Sequence, residues 1–353
     1  MAIDLKHYVV TTRKVKIIDD IWKYDPDHPD ESVRYMRYGR YSEDGDSAVF
    51  INPIDAEGNN EDHHYKFSVK ELSEDKLEAG YASRLFFDQL FGELEISGKG
   101  LLIFLHGISV KEKKEHQHVR LLHDKYINDS PSLGRLLMVT WPSQGFSVTQ
   151  YPEEKKVDSL RTGKALGLFF LKLATEIQRR KANHLFVPDI YFMPQSMGHR
   201  VVNQMMNLLK YQKEEIYDRV KSLFEKIILM SPDMPARSLR QAISNKYDYK
   251  YIHELAKNTC IFYSKEDWVL KKAEQLHDEE VLGYTGPKEH PSFIISYRIN
   301  QINAPKLMVD LKRTKAHRYF QYHSLVIDEI NKLFAGEKPS EDIFLEINWK
   351  DHE

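Results

Sequence analysis

Cysteine is nearly absent: Cys260 is the single one in 353 residues. A disulfide framework within the chain is excluded, which fits a reducing compartment, so a cytoplasmic location is expected. An excess of either charge is also missing. The chain carries 51 basic and 53 acidic residues, for a formal net charge of −2, so no basic footprint points to a nucleic acid. No apolar run approaches the roughly 20 residues of a membrane-spanning helix. The opening MAIDLKHYVV lacks the basic start and long apolar region of a secretory signal. Metal-ligand spacing is scarce as well. Neighbouring His63 and His64 would point to opposite faces of a strand, so Glu61-Asp62-His63-His64 reads as a polar loop. His116 and His118, two apart, share no helical face and read as solvated.

What is present centres on Val187 to Met206, VPDIYFMPQSMGHRVVNQMM. Val187–Met193 is a short apolar and aromatic run, as in a buried strand. Pro194-Gln195-Ser196-Met197-Gly198 is a tight turn. Val202, Met205, Met206 and Leu209 then recur at helical spacing. Strand, turn with a central Ser and a Gly two residues on, then helix is the context of a nucleophile elbow. Such a turn forces its central residue into an unfavourable backbone region and needs small neighbours. Pro194 stands where the first Gly of G-x-S-x-G would be.

Around this elbow the chain alternates strands and helices. Residues 1 to about 70 read as irregular β, with strand-like Val9–Thr12, Val15–Ile18 and Ala48–Ile51 and a hairpin loop over Ser42–Ser47. Glu74–Leu94 reads as a helix. Leu101–Leu105 is a wholly apolar strand ending in His106-Gly107-Ile108-Ser109, and Leu136–Thr140 ends in Trp141-Pro142-Ser143-Gln144-Gly145. Lys226–Met230 ends in Ser231-Pro232-Asp233, Thr259–Tyr263 in Ser264-Lys265-Glu266-Asp267, and Lys306–Leu311 precedes His317. Continuous apolar runs belong to parallel sheets covered on both faces. The pattern predicts an α/β, doubly wound, mostly parallel sheet with a β-rich N-terminal segment. His106, Trp141, Ser196, Asp233, Asp267 and the His317 loop then share the carboxyl rim, where ligands bind in such sheets.

A serine nucleophile needs a base, and the base an orienting carboxylate, in the chain order Ser, acid, His. Ser196, Asp267 and His317 satisfy that order; Asp233 is an alternative acid and His323 an alternative base. Met197, with Ile108 or Ser109, would supply backbone N–H groups for an oxyanion. His106, Gly107, Trp141, Ser143 and Gln195 would line the site.

The ordered set FLHG (104–107), WPSQG (141–145), QSMG (195–198), SPD (231–233), YSKEDW (263–268), Leu282-Gly283 and HRYF (317–320) resembles the α/β-hydrolase-fold proteins of the DUF900 type, a group of unknown function. The resemblance spans roughly residues 97 to 335. It implies an α/β-hydrolase core with Ser196 as nucleophile, Asp267 as acid and His317 as base, and no particular substrate. The family commonly has a small residue and then His before the Ser, where Pro194 and Gln195 stand here.

The expected organisation is a β-rich extension with a helix over 1–95 joined to a core over 96–336, then a tail over 337–353. Candidate cap segments are 234–258 and 270–305. The expected function is a serine hydrolase cleaving an ester, thioester or amide, esterase- or lipase-like, acting on a small or lipid-like acyl substrate without cofactor or metal. The alternative is an inactive hydrolase-fold binding or scaffold protein that uses residues 1–95 to dock a partner or form an oligomer.

Overall fold

The computed structural model describes residues 5–28, 32–43, 46–52, 80–108, 110, 112–143, 158–240, 247–288, 294–302, 316–338 and 342–348. These residues build a twelve-stranded sheet. In chain order the strands are β1 (Tyr8–Arg13), β2 (Val15–Ile18), β3 (Ile21–Tyr24), β4 (Ser32–Tyr41), β5 (Ala48–Phe50), β6 (Gly100–Leu105), β7 (Leu133–Thr140), β8 (Ile190–Pro194), β9 (Phe224–Met230), β10 (Ala256–Tyr263), β11 (Ile294–Ile302) and β12 (Ile343–Asn348). Their spatial order is β12-β11-β10-β9-β8-β6-β7-β1-β4-β5-β3-β2. From β12 to β1 all neighbours are parallel; beyond β1 the pairs are antiparallel.

The apolar runs explain the centre of the sheet. Every residue of β6 and β8 is buried, because side chains alternate between two covered faces. Leu101, Ile103 and Leu105 join one core with Phe86, Phe169 and Met205. Leu102 and Phe104 join the other with Val119, Leu122, Ile330 and Phe334. The first face is covered by helices α1 (Tyr81–Ser97), α3 (Ser159–Ala182) and α4 (Gly198–Lys210), the second by α2 (Glu112–Leu122) and a late helix, α9 (Ser324–Phe334). Each fully buried Leu, Ile or Phe stabilises the fold by about 1.5–3 kcal/mol. Between these lie the short α5 (Glu214–Asp218), α6 (Trp268–His277), α7 (Leu282–Thr285) and α8 (Tyr319–Tyr322).

Several expectations need correction. Part of the candidate cap over 270–305 is strand β11, paired with β10 from Thr259↔Ile294 onward. Part of the tail over 337–353 is strand β12, parallel to β11. In the candidate cap over 234–258, a 3₁₀ turn over Asp248–Leu255 buries Tyr249, Ile252 and Leu255. It is tied to α4 by Tyr249 N–H donating to Asn203 Oδ1 at 3.2 Å. His116 and His118 are buried, not solvated, because α2 lies under the N-terminal strands. The strands flanking the expected Ser42–Ser47 loop pair antiparallel, and Ser42 N–H donates to the Ser47 carbonyl at 2.9 Å; residues 44 and 45 lie outside the described residues. The helix expected over Glu74–Leu94 begins, within the described residues, at Tyr81. The segments Glu61–His64 and Lys306–Leu311 lie outside the described residues.

Candidate active site

The elbow forms where the sequence places it. Strand β8 ends at Pro194, the edge of the turn where a missing N–H is tolerated. Ser196 follows with φ +52°, the left-handed region that costs a side-chain-bearing residue about 1–3 kcal/mol. Backbone bonds hold it there: Ser196 N–H donates to the Met230 carbonyl at 3.0 Å, and the Ser196 carbonyl accepts from Asp233 N–H at 3.2 Å. Helix α4 departs at once. A Cβ on Gly198 would stand 2.8 Å from the His106 carbonyl oxygen, so only glycine lets the helix pass this close to the end of β6. Met197 sits at the start of α4, and its N–H is not spent on any hydrogen bond among the described residues.

Asp267 and His317 meet. Asp267 is fully buried and its two oxygens have different duties. Oδ1 accepts Leu270 N–H at 3.1 Å and caps α6; Oδ2 lies 2.6 Å from His317 Nδ1. The alternative acid is engaged elsewhere: Asp233 Oδ1 accepts from Arg200 Nη2 at 3.2 Å. His323 occupies the N-cap position of α9 and its N–H donates to the Tyr319 carbonyl. The backbone of Gly283 joins the rim, with its N–H donating to Pro232 and its carbonyl accepting from Ser264 N–H.

His317 Nε2 lies 3.1 Å from Gln195 Nε2, and Gln195 Oε1 accepts Gly107 N–H at 3.1 Å. Gly107 packs against the elbow so closely that a Cβ on it would be 2.7 Å from Ser196 Cβ. The loop after β6 is pinned from behind. Trp141 N–H donates to His106 Nε2 at 3.2 Å, and Trp141 Nε1–H to the His106 carbonyl at 3.0 Å. His106 Nδ1 is thereby left to donate to the Gly107 carbonyl at 2.8 Å. Burial holds the His106 pKa well below the usual histidine value, which suits a neutral loop-orienting ring. Val110 N–H donates to Ser143 Oγ at 3.1 Å. Trp141 and Ser143 therefore support this loop. Ile108 is half-buried against the first core, and Ser109 lies outside the described residues.

Three partners escaped the sequence reading. Arg13 Nη2 on β1 donates to the Val110 carbonyl at 2.5 Å. Arg200 neutralises Asp233; its position one turn after the elbow was the available signal. The Tyr249 hydroxyl meets His199 Nδ1 at 2.6 Å, from a segment with no helical period to reveal it. Burial raises the Cys260 thiol to about 12, so it offers no thiolate near neutrality. Among the described residues no group of three or more His, Cys, Asp or Glu side chains is placed to hold a metal ion, and no helix is long and apolar enough to cross a membrane.

The parallel sheet, the strained serine elbow and the buried carboxylate–histidine pair on one rim define an α/β-hydrolase fold. The model of a family described as alpha/beta hydrolase of unknown function (DUF900) matches residues 89–329, and the chain belongs to that family. Among curated proteins nothing matches it.

Proposed function

We propose that the protein is a serine hydrolase working by acyl transfer, with Ser196 as nucleophile, His317 as base and Asp267 as its orienting acid. The observation that carries this reading is the 2.6 Å contact of Asp267 Oδ2 with His317 Nδ1 on the rim that holds the positive-φ Ser196. The carboxylate accepts Nδ1–H, so Nε2 keeps its lone pair for the serine proton. In acylation the Oγ–H proton passes to Nε2 and Oγ bonds to the acyl carbon. The carbonyl electron pair moves to oxygen, received by Met197 N–H and the loop after Gly107. Collapse expels the leaving group, which takes the proton from Nε2; water repeats the sequence and frees the acid. The residues named ask for no cofactor. An ester, thioester or amide fits this chemistry, and esterase- or lipase-like cleavage is the proposed class on analogy of fold.

A second reading, a binding protein with a silent site, draws on Pro194 at the elbow and the Gln195 amide on His317 Nε2. Intact-mass analysis after fluorophosphonate treatment separates the two. One adduct, absent in Ser196→Ala, supports the hydrolase; no adduct on folded protein favours the binding protein.

A further inference from the structure

The Gln195 amide bridges the two halves of the site, and its orientation is dictated by its partners. Gly107 N–H is a donor, so the amide end 3.1 Å away is the oxygen. The other end is then the NH2 group, and it faces His317 Nε2 at 3.1 Å. An NH2 group can only donate, so Nε2 is an unprotonated acceptor and Nδ1 carries the ring proton toward Asp267. The chain Gly107, Gln195, His317, Asp267 is fixed in one hydrogen-bonding direction. Every member is buried: Gln195 is 3% exposed, His317 6% and Asp267 0%.

A neutral imidazole nitrogen has one lone pair in the ring plane. Among the described residues' hydrogen bonds, the Gln195 amide holds that lone pair and the Ser196 hydroxyl does not. On the serine-hydrolase reading, serine and amide compete for the same acceptor. We infer that Gln195 is a gate on the base: Asp267 holds His317 in the tautomer ready for catalysis, and the Gln195 amide occupies Nε2 and yields it to Ser196 only when an acyl group enters. Gln195 is thus a positioning residue that acts through His317. The amide oxygen lies on Gly107 N–H, beside Ser196, so release of the amide also frees that donor. Two hydrogen bonds must break to open the gate, and an entering acyl carbonyl is the group able to replace the lost acceptor. The inference rests on the serine-hydrolase reading.

The test compares second-order rates of fluorophosphonate labelling at Ser196 for the wild type, Gln195→Met and Gln195→Asn. Methionine keeps the length without a donor; asparagine keeps the amide but is too short to span both partners. Near-UV circular dichroism verifies folding of each. The gate predicts labelling roughly 3- to 10-fold faster in both variants, the range set by the net worth of one hydrogen bond. It also predicts a changed ¹⁵N shift at His317 Nε2, which a loss of packing alone does not produce. If the wild type labels and the variants are no faster, the gate is overturned and the hydrolase stands. An unchanged Nε2 shift likewise overturns it. If no form labels at Ser196, the hydrolase reading fails and the gate with it.

Discussion

At the scale of single residues, the two aspartates on the rim are set apart by their partners. Asp267 takes His317 Nδ1 with one oxygen and caps α6 with the other. Asp233 lies against the Arg200 guanidinium. Asn at 267 keeps a carbonyl for the cap but loses the charge that supports the imidazolium. On the proposed mechanism, Asp267→Asn lowers kcat/KM roughly 10²- to 10⁴-fold with little loss of stability. Asp233→Asn does the reverse. It weakens the charged hydrogen bond to the Arg200 guanidinium, which costs about 1.5–3 kcal/mol, while labelling of Ser196 in the folded fraction stays within a few-fold of the wild type. Labelling rates and urea midpoints of the two variants settle the acid; a silent Asp233→Asn beside an active, folded Asp267→Asn reverses it. The sequence named both candidates but not the discriminator, because the position of Arg200 one turn after the elbow does not tell which carboxylate it faces until α4 and the end of β9 pack together.

At the scale of elements, legibility followed how each strand is covered. β6 and β8 were readable because burial on both faces makes them continuous apolar runs. β4, with the sequence SVRYMRYGRY, hides its strand period behind three arginines. β11 and β12 mix polar residues with isoleucines at the margin of the sheet, where an apolar run is not required. The N-terminal strands show what composition concealed. Glu115 of α2 is fully buried and accepts from the Tyr24 hydroxyl at 2.8 Å and from the Tyr41 hydroxyl, with Arg13 Nε 3.8 Å away. Burial raises its carboxyl pKa, and Arg13 opposes the rise. The same Arg13 supports the loop after β6 through Val110. Arg13→Met therefore removes both a counter-charge and a loop anchor. A double-mutant cycle pairing it with Glu115→Gln is expected to give a coupling energy of about 1–3 kcal/mol in urea unfolding. Strictly additive losses would show that the Arg13–Glu115 pair contributes nothing as a pair.

At the scale of the whole molecule, the fold keeps several histidines uncharged. Burial lowers His7 and His106 well below the ordinary value and His199 to about 3. His7 is depressed further by His123 and by the Arg135 and Arg40 charges, and His106 by Arg13 and His118. In the unfolded chain each protonates near pH 6.5. Below that pH the unfolded state binds more protons than the native one, so stability falls as pH falls, by about 1.4 kcal/mol per unit for each histidine. Glu115 acts in the opposite sense: its raised native pKa favours the native state as protons are added above its unfolded value. Each of the three histidines takes up about one proton on unfolding between pH 7 and pH 5, worth about 2 kcal/mol apiece, and Glu115 offsets part of that, so the unfolding free energy is expected to be lower at pH 5 than at pH 7. His199 offers a specific check, since its ring meets Tyr249 on one side and the Met230 carbonyl on the other. His199→Gln can satisfy both partners without a titrating group. It should flatten the difference between the two pH values by about 2 kcal/mol. If urea unfolding finds the pH slope of His199→Gln equal to that of the wild type, His199 is already protonated in the fold or titrates equally in both states, and the acid sensitivity must come from elsewhere in the chain.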